Sequence, residues 1–122
     1  MSEMTATQAQ GLEHDRATEL ERLAALRREF DEVVEAAEGA NGDDEHDPEG
    51  PTIAYERSQI AAFITQAEEH LAEIEAAQRR IADGTYGLCT VCGEEIPAAR
   101  LEARPTATTC VEHATAARSG PL

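Results

Sequence analysis

Apolar residues recur along two long stretches of this chain with helical spacing. Between Leu12 and Glu38 no Pro or Gly interrupts a sequence rich in alanine, glutamate and arginine, which predicts one long helix. The residues predicted to face the second helix follow alternating spacings of three and four, provided that Arg27 occupies one position of this seam. Leu26 and Val33 widen the apolar stripe that the seam forms. The predicted seam of this first helix consists of Leu20, Leu23, Phe30, Val34 and Ala37.

The second stretch carries a cleaner repeat. It is expected to begin near Pro51-Thr52, with Thr52 as the N-cap, and to run to about Asp83, where Gly84 closes it. Its spacings alternate between four and three, which is the period of 3.5 typical of coiled coils. The predicted seam consists of Ile53, Arg57, Ile60, Ile64, Ala67, Leu71, Ile74, Gln78 and Ile81.

A Gly-, Pro-, Asn- and Asp-rich segment separates the two helices. Helix-stop signals at Gly39 and Gly42 predict a loop over 39–51. Two helices of similar length and one loop favour an antiparallel coiled-coil hairpin over 11–83, after a flexible N-terminus at 1–10. The alternative is that the two helices belong to a small bundle completed by dimerisation. The predicted fold class is therefore all-α.

Composition narrows the possible partners. The formal net charge is −15, from 25 acidic residues against 10 cations, all of them arginine. This charge disfavours binding to nucleic acid through phosphate contacts and suits docking on a basic surface. The first ten residues do not resemble a signal peptide, and no apolar run reaches the roughly 20 residues that span a bilayer. We therefore expect a cytoplasmic protein that has no membrane contact.

All three cysteines lie near the C-terminal end, where they are spaced like metal ligands. Cys89 and Cys92 form one pair with two residues between them, Cys110 and His113 form a second such pair, and seventeen residues separate the two pairs. Two such turns close a tetrahedron around Zn²⁺, so the spacing predicts one structural zinc in a Cys₃His site within a finger at 84–113. The tail at 114–122 follows it.

Two other interpretations of these residues stay open. His113 is an ordinary surface histidine in the first, and Glu112 is its one local competitor as a ligand. In the second, the two nearest cysteines form a redox pair, although the usual strand–helix context of such a pair is absent. A closed four-ligand site leaves no position for substrate, so we predict that the protein is not an enzyme.

The finger segment "GTYGLCTVCGEEIPAARLEARPTATTCVEH" strongly resembles the zinc finger of the DksA/TraR family of bacterial transcription regulators. The long hairpin ahead of it matches the family layout, so the resemblance covers roughly residues 10–113. The positions that match the family pattern are Gly84, Tyr86, Gly87, Cys89, Cys92, Gly93, Ile96, Arg100, Leu101, Ala103, Pro105 and Cys110.

The resemblance implies a function in transcription. Family members insert a coiled coil into the secondary channel of RNA polymerase, where acidic residues at its tip reach towards the active centre. It implies RNA polymerase as the partner and no sequence-specific DNA binding. We expect the protein to be a monomer. The alternative function is that of a zinc-stabilised coiled-coil adaptor with a different protein partner.

The chain departs from the family at three places. His113 stands where the commonest pattern has Cys. The expected tip motif, Asp-x-x-Asp-x-Ala, is present only in part, because Asp44 and Asp47 keep the interval but Glu49 replaces Ala. We expect Asp44 and Asp47, with Glu45 and Glu49, to form the partner-binding tip.

The third departure concerns the alarmone ppGpp. Responsive members carry basic residues along the second helix and after the last ligand. Neutral or acidic residues occupy these places here, so ppGpp dependence is not expected; they are Gln66, Glu68, Glu69, Glu73 and Ala114.

A few other residues have simpler expected roles. Arg100 and Arg104 either bridge the finger to the base of the hairpin or face a partner. Tyr86 and Ile96 are expected in a small apolar core of the finger. The histidines without ligand-spaced companions are expected at the surface; they are His14, His46 and His70.

Overall fold

The computed structural model describes residues 3–40 and 50–114. It contains two long helices, α1 (Glu3–Ala40) and α2 (Gly50–Asp83), then a short helix α3 (Ala98–Ala103) and a 3₁₀ turn at Val111–His113. No strand is present in these ranges beyond a single bridge between Leu88 and Glu95. The all-α prediction is confirmed, and no helix in the described ranges is long and apolar enough to cross a membrane.

The structured residues form two compact units, and the two long helices run antiparallel in each. In the unit formed by Ala17–Leu71, α1 and α2 meet at Glu19–His70 and Arg27–Glu68. The other unit joins the described parts of Met1–Arg16 and Ala72–Leu122. There, Leu12 of α1 packs against Ile74 and Ala77 of α2. These pairings confirm the antiparallel coiled-coil hairpin.

The seam predicted for α2 is confirmed at all positions except one. Ala67 and Ile74 are buried, and the other apolar seam residues are half-buried; they are Ile53, Ile60, Ile64, Leu71 and Ile81. Arg57 was wrongly placed in the seam, because its side chain is exposed to solvent. A guanidinium stays hydrated at the end of a long side chain, so solvation outweighs the heptad position.

The seam predicted for α1 is wrong at two positions. Leu20 is 38% exposed and Arg27 is exposed, whereas Glu19 is buried and Leu26 is half-buried. At these two positions the inward-facing residue is therefore the one before the predicted residue, while Leu23, Phe30, Val34 and Ala37 are buried or half-buried as predicted. A carboxylate can occupy the stripe because His70 Nδ1 lies 3.0 Å from Glu19 Oε2 and the Arg22 guanidinium lies 3.4 Å from Glu19 Oε1.

Both long helices extend beyond the predicted bounds. α1 begins at Glu3, within the segment expected to be flexible, and Gln8 is buried there at 7% exposure. α2 begins at Gly50, so Thr52 lies inside the first turn; the fixed φ of Pro51 suits that turn, and its missing N–H needs no partner there. α1 continues through Gly39 to Ala40. Most of the predicted tip loop, at 41–49, and the tail from residue 115 lie outside the described residues.

The C-terminus of α2 is closed by a Schellman motif that leads into the finger. Gly84 has a φ of +78°, a conformation that favours glycine. Its N–H donates to the Ile81 carbonyl at 3.2 Å, and the Thr85 N–H donates to the Arg80 carbonyl at 2.9 Å. The predicted stop at Gly84 is confirmed.

Candidate metal centre

The first pair of cysteines lies on a tight turn that glycine makes possible. The Cys89 N–H donates to the Glu94 carbonyl at 2.8 Å, and the Gly93 N–H donates to the Cys89 carbonyl at 2.9 Å. Gly93 adopts a φ of +77°, which side-chain-bearing residues rarely adopt. The turn also brings the Val91 N–H to 3.4 Å from the Cys89 sulfur.

The second pair lies on the 3₁₀ turn, where the His113 N–H donates to the Cys110 carbonyl at 3.1 Å. Two contacts hold this turn against the rest of the finger. The Thr90 N–H donates to the Thr108 carbonyl at 2.9 Å, and Arg100 Nε donates to the Thr109 carbonyl at 2.7 Å. Arg100 thus has a structural role within the finger. The two threonines could not be predicted from the sequence, because they accept through backbone carbonyls, which every residue type has.

A small apolar core supports both turns. Cys89, Ile96, Leu101 and Ala107 are buried together, and Tyr86 packs against them. This confirms the predicted core role of Tyr86 and Ile96. The Tyr86 hydroxyl donates to the Pro105 carbonyl at 2.9 Å, and burial raises the pKa of Tyr86 while nearby Arg80 opposes that rise.

The structure brings Cys89, Cys92, Cys110 and His113 together. Their four donor atoms all lie within 4.8 Å of one another. The Cys92 and Cys110 sulfurs are 3.9 Å apart, and His113 Nδ1 lies 3.7 Å from the Cys89 sulfur and 3.0 Å from the Cys110 sulfur. A tetrahedron with Zn–S bonds of about 2.3 Å has sulfur–sulfur edges of about 3.8 Å, so the donors are spaced to hold one zinc ion.

The cysteines differ in how readily they ionise. Burial alone would raise the pKa of Cys89. Hydrogen bonds from the backbone N–H groups of Cys92, Cys110 and Val91 and from the Cys92 thiol outweigh burial and lower this pKa to about 6. At Cys92 the Glu94 N–H lowers the pKa, but burial and the neighbouring sulfurs of Cys89 and Cys110 outweigh it and raise the pKa. A metal ligand must be a thiolate, so the turn prepares Cys89 in advance.

A cavity of about 310 Å³ lies beside the second turn. Its lining includes Arg100, Arg104, Glu73 and Ala114, with residues 106–109. Two residues singled out in the ppGpp prediction, Glu73 and Ala114, thus share a cavity with two arginines. The other singled-out residues of α2 are exposed; they are Gln66, Glu68 and Glu69.

The remaining candidate residues divide into two groups. His14 is exposed as predicted, and His70 is exposed too but contacts Glu19. The predicted tip residues lie outside the described residues, as does His46; the tip residues are Asp44, Glu45, Asp47 and Glu49.

The fold and the donor cluster together define a zinc-finger protein with a helical hairpin.

Comparison with known proteins places this architecture in a family. The family profile "Prokaryotic dksA/traR C4-type zinc finger" matches residues 84–112. General stress protein 16O of Bacillus subtilis is 34% identical over 110 residues, which cover 89% of this chain and 68% of that protein. The RNA polymerase-binding transcription factor DksA of Caulobacter vibrioides is 36% identical over 92 residues, covering 75% of this chain and 57% of that protein.

A solved structure agrees with these relatives. The structure of transcription factor DksA2 from Pseudomonas aeruginosa covers 98% of this chain and 87% of its own, with a TM-score of 0.78 and 26% identity. The chain spans only 29% of a further relative, the uncharacterized protein YteA of Bacillus subtilis, at 47% identity over 70 residues. This chain belongs to the DksA/TraR zinc-finger family, and its donor cluster is consistent with one structural zinc.

Proposed function

We propose that this protein regulates transcription by binding RNA polymerase in the cytoplasm. The observation that carries the proposal is the fold, which matches the solved structure of transcription factor DksA2 over 98% of this chain, together with the four-donor cluster of this chain's finger. The relative from Caulobacter vibrioides bears the name of an RNA polymerase-binding factor. The charge of −15 agrees with a partner that offers a basic surface, and it disfavours direct DNA binding.

The zinc is proposed to act as a structural ion held by Cys89, Cys92, Cys110 and His113. Four protein donors fill its coordination sphere, so no position stays open for water or substrate, and the protein is proposed to lack enzymatic activity. His113 replaces the fourth cysteine of a C4-type finger, and its Nδ1 atom faces the sulfurs of Cys89 and Cys110. When bound, zinc links the two turns of the finger.

The hairpin is proposed to enter the secondary channel of the polymerase with its acidic loop foremost. The segment from Glu29 to Glu56 contains eleven acidic residues and no Lys or Arg. Within that stretch Asp44 and Asp47, supported by Glu45 and Glu49, are the proposed acting residues. Carboxylates delivered near a catalytic Mg²⁺ can alter its coordination or compete for basic side chains.

A binding measurement separates this proposal from its alternative, an adaptor that binds another protein. Tagged, zinc-loaded protein is incubated with purified cognate RNA polymerase, and saturable binding is measured directly. The proposal expects one protein bound per polymerase, as a monomer. An absence of binding, together with capture of an unrelated protein, supports the adaptor.

The protein is further proposed to act without ppGpp. The ground is α2, where Gln66, Glu68, Glu69 and Glu73 are neutral or acidic at places where responsive family members are expected to carry basic residues. In the cavity that Glu73 shares with Arg100 and Arg104, its carboxylate offsets part of their positive charge. In vitro transcription with increasing ppGpp should therefore show the same effect of the protein at every nucleotide concentration. A dose-dependent enhancement of that effect would contradict this part of the proposal.

A further inference from the structure

The first half of α2 carries little charge for a helix on the surface of this protein. Residues 51–67 contain one acidic and one basic residue, Glu56 and Arg57, whereas the whole chain is 29% charged. Nearly every residue of this stretch is nevertheless at least partly exposed, with only Ala67 buried. A helix that faces only water normally carries charged side chains on that face. This stretch has the composition of a protein interface, whose core is depleted in charge.

Two aromatic side chains lie within this uncharged stretch. Tyr55 is 67% exposed and Phe63 is 38% exposed. With Gln59, Ala62 and Gln66, which are also exposed, they follow spacings of three and four along one side of α2. The seam residues that face α1, such as Ile60 and Ile64, lie on another side of the helix. We call these five residues the Tyr55–Phe63 face.

An acidic groove adjoins this face. Glu29, Glu32 and Val33 of α1, with Glu56, Gln59 and Ile60 of α2, line a cavity of about 270 Å³. Val33 and Ile60 supply aliphatic surface and three glutamates supply negative charge. Gln59 belongs both to the groove and to the Tyr55–Phe63 face, so the two surfaces are continuous.

This combination specifies the chemistry of its occupant. Exposed aromatic residues are the side chains that most often dominate binding energy when a partner covers them. The neighbouring carboxylates favour an occupant with Arg or Lys and disfavour a nucleic acid. A second copy of this chain is also disfavoured, because it brings a further charge of −15.

We infer that the Tyr55–Phe63 face and the adjoining groove form a docking surface for a protein segment that presents apolar side chains beside Arg or Lys. This inference rests on the proposed function, which places that segment on RNA polymerase. Docking on this face is separate from any action of the acidic loop.

The test compares the affinity of full-length, zinc-loaded variants for purified cognate RNA polymerase. Tyr55→Glu and Phe63→Glu each place a charge on the face. Ala61→Glu is the matched control, because it adds the same charge to an exposed position on another side of the same helix. Each variant on the face should bind about 10- to 100-fold more weakly, as expected for a buried aromatic anchor, and the control should bind within about threefold of the wild type.

Two further measurements keep the test decisive. Phe63 is partly packed, so Tyr55→Ala is included, and circular dichroism melting shows whether each variant keeps its helices. Weaker binding by a folded Tyr55→Ala variant supports the docking surface. Raising the salt concentration should weaken wild-type binding, and Glu29→Gln combined with Glu32→Gln should reduce that dependence.

The outcomes separate failure of this inference from failure of the proposed function. Wild-type affinity in every folded variant on the face overturns the inference while leaving polymerase binding intact. No binding by the wild type removes the proposed function, and with it this assignment of the partner. Analytical ultracentrifugation tests whether a second copy of this chain occupies the face instead. Self-association abolished by Tyr55→Glu, without any change in polymerase affinity, would assign the face to a second copy and overturn the inference.

Discussion

Cys89 is the thiol that the finger prepares most strongly for metal binding. It is buried at 3% exposure, yet backbone N–H groups lower its pKa from an ordinary value of 9.0 to about 6. In zinc-free protein, thiolate absorbance should therefore show a first ionisation near pH 6, and Cys89→Ser should remove it. The associated stability is full above pH 9.0 and is lost as the pH falls through about 6, because the unfolded thiol binds its proton more tightly. A first ionisation unchanged by Cys89→Ser would contradict this assignment.

Substitutions at His113 test whether this residue is the fourth zinc ligand. His113→Cys should retain zinc, because a thiolate at this position gives the family's four-cysteine set. His113→Ala should weaken zinc binding by more than the roughly 10- to 100-fold that loss of an outer-shell partner costs. Competition against a chromophoric chelator measures both affinities, with His14→Ala as the control at an exposed histidine. Equal affinity in His113→Ala and the wild type would exclude His113 from the site.

At the scale of the helices, Glu19 is a buried carboxylate, and its neighbours determine how much its burial lowers the free energy of unfolding. His70→Ala should lower the free energy of unfolding by about 1 kcal/mol, since it removes a hydrogen bond from a buried charge while the exposed imidazole limits the effect. Glu19→Leu should keep or raise that free energy, because an apolar residue suits the seam. Chemical denaturation followed by circular dichroism measures both changes. Unfolding of the Glu19→Leu variant would show that the pair is needed for the hairpin itself.

The finger and the hairpin should respond differently to the removal of zinc. Metal binding supplies folding energy to a small finger, whereas the long helices are supported by apolar residues such as Leu12, Leu23 and Ile74. A chelator should therefore loosen the finger, so that protease cleaves it faster, while most of the helical circular dichroism remains. Addition of zinc should restore protection. Complete loss of helicity on chelation would show that the hairpin depends on the finger.

The contrast between α1 and α2 shows how far the sequence predicts this fold. The seam of α2 could be predicted because Ile and Leu repeat at 3.5 residues, and the cysteine spacing predicted which four donors meet. The burial of Glu19 in α1 could not, because hydrophobicity favours Leu20 over Glu19, and the shorter of the two contacts that compensate Glu19 comes from His70, 51 residues away along the chain. The Arg100–Thr109 contact was hidden for a related reason, since its acceptor is a backbone carbonyl.

At the scale of the whole molecule, binding and regulation should be separable. Asp44→Asn combined with Asp47→Asn should abolish the effect on transcription while polymerase binding largely survives, because the proposed docking surface lies on α2 and in the groove between α1 and α2. Folding should also survive, since Asp→Asn changes little in side-chain volume and most surface substitutions change stability by only about 0.5 kcal/mol. Simultaneous loss of binding and regulation would instead make the loop a docking surface.

In vitro transcription by purified cognate RNA polymerase, titrated with the zinc-loaded protein, tests the proposed regulation of transcription. We expect a change in transcript yield that saturates over the same concentrations as binding to the polymerase, and that the Asp44→Asn, Asp47→Asn variant does not produce. Transcript yields that stay constant while the polymerase is saturated with wild-type protein would show that the protein does not regulate transcription through the polymerase.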